Sequence, residues 1–272
     1  MTNMGAKARI ATVGMTATER QAVQALLDWH AAMGADEAIG EAPVDCFASG
    51  AEQAQVSPSP ADRALPRRVT APPPKAGPGL EAAHSASSLA ELEALVARFE
   101  GCALKRTAKS LCFARGRAGA RLMLIGEAPG RDEDLQGKPF VGRAGKLLDR
   151  MLEAIGLSED DVYITNTVYW RPPGNRTPTP EEVEACAPFL ARQIALASPE
   201  VLVLLGNAAA KNILGVTEGI MRLRGKWLTY STGDRDIATF ATLHPAYLLR
   251  NTEAKRLAWR DMLALKERLE LN

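Results

Sequence analysis

The chain has 272 residues, 46% of them hydrophobic and 24% charged, which suits a globular protein of one or two domains with a sizeable core. Its 33 Lys and Arg stand against 32 Asp and Glu, a formal net charge of +1, so bulk charge announces no nucleic-acid partner and any DNA footprint has to be local. No run approaches the roughly 18 consecutive apolar residues of a membrane helix, and no basic segment followed by an apolar one opens the chain. The expectation is a cytoplasmic protein with no membrane contact.

Near the N-terminus, Thr18 with Gln21 reads as a capping box, followed at helical spacing by Val23, Leu26, Leu27, His30 and Met33 until Gly34 stops the run. Residues 1–46 are thus expected to hold one short amphipathic helix. From 47 to 87 the composition shifts to Ala, Ser and Pro, with prolines at 58, 60, 66, 72, 73, 74 and 78. Such a segment buries too little apolar surface to offset its ordering entropy, so a flexible linker is expected. Order resumes at Ser88, a plausible N-cap, with Leu92, Leu95 and Val96 on one helix face leading to Phe99 and Cys102.

Residues 88–272 alternate short apolar runs with helical patterns, the signature of an α/β domain with a mostly parallel sheet. Four strands are expected at 121–125, 162–165, 201–205 and 237–242, with helices near 144–155, 180–195, 207–214 and 253–269. The residues just after each strand carry the most information. The first strand runs into Gly126-Glu127-Ala128-Pro129-Gly130, the second into Asn166, the third into Gly206-Asn207 and the fourth into His244-Pro245. Ligands of open parallel sheets sit outside the carboxyl ends of the strands, so these polar residues should converge on one crevice.

The first of these turns exposes backbone N–H groups suited to a carbonyl oxygen or a phosphate. Its loop continues through Asp132, Glu133 and Asp134 to Gly137-Lys138-Pro139-Phe140-Val141-Gly142, bringing carboxylates and one aromatic ring together. A nucleotide P-loop is excluded by spacing: Gly145-Lys146 is followed by Leu147, and Phe140 stands where the first glycine belongs. A Gly-, Pro- and acid-rich loop with one aromatic ring is more economically a base-binding platform, because every base offers a π-face. His244, one of three histidines, is aimed at the crevice by its strand-end position and by Pro245. Beyond it, Leu248, Leu249 and Arg250 read as an apolar wedge next to a phosphate-seeking cation. The segment 171–180 is too rich in proline for helix or strand, and Arg171 and Arg176 flanking Asn175 suit phosphate and strand contacts. Lys105, Arg106, Lys109, Arg143 and Arg224 are candidates to extend that footprint.

Taken together, Gly126-Glu127-Ala128-Pro129-Gly130 through Gly145, Ile164-Thr165-Asn166, Arg171-Pro172-Pro173-Gly174-Asn175-Arg176 and His244-Pro245-Ala246-Tyr247-Leu248-Leu249-Arg250 resemble the family 4 uracil-DNA glycosylases over about residues 90–272. The resemblance implies a three-layer αβα fold, and uracil-containing DNA, single- or double-stranded, as the partner of a monomeric enzyme that leaves an abasic site. It implies that Phe140 stacks on an extruded uracil, that Asn166 pairs with its Watson–Crick edge, and that backbone around Gly126 and Ala128 helps hold base and sugar. His244 would donate to uracil O2, while Glu127, Glu133 and Asn175 hold the attacking water and offset the sugar cation; Arg171, Arg176, Leu248 and Arg250 would meet the DNA. An alternative from another class is a uracil-DNA-binding or damage-sensing module with little turnover. A relative that traps DNA covalently is a third reading, but no basic loop is inserted before His244.

In one respect the sequence departs from that family. The resemblance implies a 4Fe–4S iron-sulfur cluster on four cysteines, yet only Cys102 and Cys186 occupy such positions, with Phe99 and Trp170 at the other two. Neither Phe nor Trp ligates iron, and Cys46 and Cys112 lack the expected spacing. The expectation is therefore no cofactor, with Phe99 and Trp170 packing where a cluster would sit and Cys102 and Cys186 as small buried residues.

Overall fold

The computed structural model describes residues 67–70 and 78–270. The chain divides into two compact units, Met1–Arg63 and Ala64–Asn272, and all the described residues belong to the second. The amphipathic pattern at 18–34 and Cys46 lie outside them.

Strands β1 (Arg67–Thr70), β2 (Arg115–Gly116), β3 (Leu122–Gly126), β4 (Val162–Asn166), β5 (Val201–Leu205), β6 (Trp227–Ser231) and β7 (Asp236–Thr242) form one sheet in the order β1-β6-β7-β5-β3-β4-β2. The four strands expected from sequence are its centre: β4, β3, β5 and β7 lie side by side and all parallel. Their residues are buried on both faces, and the period-2 geometry of a strand sends alternate side chains to opposite layers. Met123, Ile125, Leu202 and Leu204 enter one core with Leu190, Ile194, Ala209 and Ile213. Leu122, Leu124, Val203 and Leu205 enter the other with Leu148, Leu152, Met262 and Leu265. Two cores on one sheet make three layers, as expected.

Helices α1 (Pro78–Ser85), α2 (Leu89–Arg98), α3 (Arg131–Gln136), α4 (Arg143–Glu153), α5 (Pro180–Ala197), α6 (Gly206–Leu214), α7 (Ile220–Leu223), α8 (Pro245–Arg250) and α9 (Lys255–Glu270) connect and cover the strands. Ser88 caps α2 as its sequence position suggests, its hydroxyl accepting from the Glu91 amide at 3.2 Å. Thr179 does the same for α5 through a capping box with Glu182.

Two elements fall inside the stretch read as a linker. Arg67–Thr70 extends the sheet by parallel pairing with β6, and α1 packs against α5. Strand β1 is held by main-chain pairing, which its composition does not advertise. Strand β6 is likewise additional to the four expected, although Leu228 and Tyr230 are buried while Trp227, Thr229 and Ser231 are less so, an alternation typical of a strand covered on one face. It pairs antiparallel with β7 across a tight turn containing Gly233.

Candidate functional site

The carboxyl ends of β3, β4 and β7 open into a cavity of about 450 Å³ whose walls include Glu127, Ala128, Glu133, Phe140, Asn166, Asn175, Arg176, His244 and Arg250. Most of the residues singled out in the sequence therefore meet in one place. The third strand tip contributes differently than expected. Asn207 is not among the lining residues, and its side-chain oxygen accepts from the Ile220 amide. Gly206 instead backs the site, since a Cβ there would lie 2.8 Å from His244 Cβ.

Asn166 ends β4 with its side chain buried at 1% exposure, and neither Oδ1 nor Nδ2 has a hydrogen-bond partner. Leaving a buried donor and acceptor unmade costs about 1–3 kcal/mol each, so this amide is poised for a ligand that offers both complements. Gly126, its neighbour in register on β3, admits no side chain: a Cβ would fall 2.5 Å from Asn166 Oδ1 and 2.4 Å from Phe140 Cζ. Phe140 itself has φ +56, a left-handed conformation that bulky residues seldom adopt and that concentrates at functional sites. Its ring lies 5.6 Å from that of His244, centroid to centroid.

His244 caps α8, its Nδ1 accepting from the Ala246 amide at 3.1 Å. That bond places the proton of the neutral ring on Nε2, leaving an N–H donor there. Burial, and secondarily the charge of Arg250, pull its pKa down to about 4, so the ring is neutral at physiological pH.

The other carboxylates and cations have more local duties than their sequence positions suggested. Glu133 accepts from the amides of Gly130 at 3.1 Å and Gly142 at 2.8 Å, bridging the two ends of the loop that carries Phe140. Arg171 Nε donates to Asn175 Oδ1 at 2.7 Å, and Asn175 is itself held at φ +57. Arg176 makes a two-pronged pair with Glu182, at 2.8 and 2.6 Å, fastening the Pro-rich loop to the start of α5. Arg224 is not part of a surface footprint: it pairs with buried Asp261, which also accepts from Thr242 at 2.6 Å.

Leu248 is a correction. It is 1% exposed and sits in an apolar cluster with Leu243, Ala254 and Ala258, so it cannot be the wedge. On so short a helix the flanking positions turn outward, and Tyr247 and Leu249 are the exposed apolar residues, at 37% each. Arg250 is exposed and lines the cavity.

The bridging role of Glu133 is separable from a chemical one. Glu133→Ala is expected to cost about 2 kcal/mol, from two lost charge-assisted hydrogen bonds, and to lower the Tm by roughly 4–8 °C. Its KM for a substrate should rise more than its kcat falls, and Glu133→Gln should recover much of both. A collapse of kcat in the Gln variant with Tm unchanged would make Glu133 a chemical group instead.

At the positions where the sequence departs from its look-alikes, Cys102 and Cys186 lie with their sulfurs 3.9 Å apart in an apolar cluster with Leu92, Val96, Trp170 and Phe189. Phe99 packs edge-on against Phe189 at 4.8 Å, and Trp170 against Tyr169 at 6.1 Å. Cys112 belongs elsewhere, donating to the Glu133 carbonyl at 3.2 Å, and burial with the nearby Asp134 and Glu133 pushes its thiol up to about 12. Among the described residues no group of three or more His, Cys, Asp or Glu could hold a metal ion. Two thiols and two aromatic rings do not fit a cubane, which takes four thiolates.

Residues 113–263 match the Uracil DNA glycosylase superfamily. The chain is 41% identical to a type-4 uracil-DNA glycosylase of Saccharolobus solfataricus over 179 residues, 64% of this chain and 83% of that one. It is 45% identical to one of Archaeoglobus fulgidus over 152 residues, covering 54% and 76%. A third, of Thermotoga maritima, is 41% identical over 170 residues, covering 61% and 87%.

Proposed function

Because the chain belongs to the uracil-DNA glycosylase superfamily, and to family 4 within it, we propose that its crevice receives one uracil flipped out of DNA and hydrolyses the bond to its deoxyribose. The chain is then a hydrolase of N-glycosyl bonds working in DNA repair, and its product is an abasic site. The observation that carries this reading is the buried Asn166 amide with no partner for either polar atom. Uracil satisfies both: O4 accepts from Nδ2, and N3–H donates to Oδ1. Cytosine presents an amino group and a bare ring nitrogen there, mismatching both.

Stacking on Phe140 gives the base an aromatic floor, and the His244 ring, 5.6 Å from that of Phe140 centroid to centroid, stands at the edge of the base. As the glycosidic bond breaks, the sugar becomes oxocarbenium-like and negative charge grows on the departing uracil. The Nε2–H of neutral His244 stabilises that charge at O2, worth most in a cavity from which the base excludes water. Glu127, on the cavity wall, offsets the sugar cation and with Asn175 orients the attacking water. Glu133 keeps the Phe140 loop shut. Arg250 meets phosphate at the rim while Tyr247 and Leu249 face the strand. The substrate is uracil-containing DNA, single- or double-stranded, and the enzyme acts as a monomer. Each of these roles in the chemistry falls on a group of the crevice itself, apart from Cys102 and Cys186.

The test is excision from a uracil-containing oligonucleotide, read as strand breakage after alkali. Turnover with an abasic product supports the reading; stoichiometric binding without breakage would make the chain a damage sensor. The pH profile adds a second readout. His244 stays neutral down to about 4, so no loss of activity traceable to an imidazole should occur near pH 6.5. With the folded value below the free one, this ring favours the fold above about pH 6.5, and that contribution fades as pH falls towards 4.

A further inference from the structure

Cys102 and Cys186 are 84 residues apart in sequence, yet their sulfurs lie 3.9 Å apart, close to van der Waals contact, with the Cys186 thiol donating to Cys102. Both are buried, at 2% and 0% exposure, among Leu92, Val96, Leu104 and Phe189. Cys102 stands at the outer edge of this cluster: Gly101 beside it is exposed, and the single turn Ala103–Arg106 that follows carries basic side chains on its surface. Local opening of that turn would bring Cys102 to solvent, whereas Cys186 lies in the middle of α5.

We propose that Cys102 and Cys186 are a covalent modification site, a pair that closes to an intrachain disulfide when the chain meets a peroxide. This goes beyond the glycosylase reading and does not depend on it. In the first step the Cys102 thiolate attacks one peroxide oxygen, the O–O bond breaks and hydroxide leaves, giving a sulfenic acid. In the second the Cys186 sulfur attacks that of Cys102, the S–O bond breaks, and the departing hydroxide takes the Cys186 proton. The balance is two thiols and one hydrogen peroxide to one disulfide and two waters. The bond would fasten the turn after α2 to α5, across the cluster that α1, α2 and α5 share with Trp170. It would staple covalently what the aromatic rings of Phe99 and Trp170 now hold by packing.

The experiment takes the full chain, reduced and then exposed to hydrogen peroxide, alkylated under denaturing conditions and digested without reductant. Expected are a peptide joining Cys102 to Cys186, an intact mass lower by the two lost hydrogens, and a Tm higher by roughly 5–15 °C that returns to its starting value with reductant. Cys186→Ala should instead carry Cys102 on to sulfinic acid, with no cross-link and no gain in Tm. Recovery of both cysteines as free thiols after an exposure that oxidises methionines, or a bridge to Cys46 or Cys112 in their place, would overturn the proposal. So would iron bound through these two sulfurs in the purified protein.

Discussion

His244→Ala is expected to lower kcat for uracil excision by about 10²–10³, the usual loss when one donor to a developing oxyanion is removed. The reason lies in the proton's location. With Nδ1 occupied by the Ala246 amide, the neutral ring has one free donor, and burial keeps it neutral over the working pH range. A neutral donor is the suitable group here, because a uracil anion departing from N1 is a weak base that needs a hydrogen bond at O2 more than a proton. KM should change little, since in the ground state O2 carries only a carbonyl's partial charge. His244→Gln, which keeps an N–H on a similar reach, should recover part of the rate. The measurement is single-turnover excision by each variant, and an alanine variant as fast as the parent would remove His244 from the chemistry.

The parts of this site legible in the sequence are those that strand order dictates. Mostly apolar runs of five to seven residues that end at Gly126 and Asn166, or two residues before His244, suit central strands, and the carboxyl ends of parallel strands share an edge. That logic brings Gly126, Asn166 and His244 together without any contact being known, and Phe140 joins them through the loop after Gly126 and the family resemblance. It fails where a side chain's direction depends on packing one turn later. Leu248 has the right chemistry for a wedge, but the helical phase of α8 sends it inward and Leu249 outward. Arg176, Arg224 and Glu133 look alike in sequence, as charges in or near loops. Only the fold shows that each already has a protein partner, in Glu182, Asp261 and the amides of Gly130 and Gly142.

Edge structure is illegible for a different reason. Strand β1 gains its place from main-chain hydrogen bonds to β6, to which side-chain composition is indifferent, and a Pro-rich setting disguises it. Strand β6 does carry a signal, an alternating run before Thr232-Gly233-Asp234 that suits a hairpin turn. The two departures at Phe99 and Trp170 are readable as lost ligands. That the remaining cysteines lie near each other is implied by the resemblance alone, since spacing does not show that helix α5 brings Cys186 to Cys102 from 84 residues away.

Asn166→Asp should lower kcat/KM on uracil by about 10²–10³ and raise excision of cytosine above the parent's level, narrowing the ratio between the two bases by several orders of magnitude. The donor Nδ2 becomes an acceptor, so an oxygen faces uracil O4 with no proton between them, in a pocket where water cannot intervene. That repulsion and the lost bond cost about 1–3 kcal/mol each. Cytosine gains what uracil loses, because its 4-amino group now meets an acceptor. Free uracil supplies an independent check on the same amide: it should raise the Tm of the parent by satisfying Oδ1 and Nδ2, and leave that of Asn166→Asp nearly unmoved. Discrimination against cytosine surviving intact in the aspartate variant would show that the base is read elsewhere, and the unpartnered amide at the end of β4 would then need another ligand to explain it.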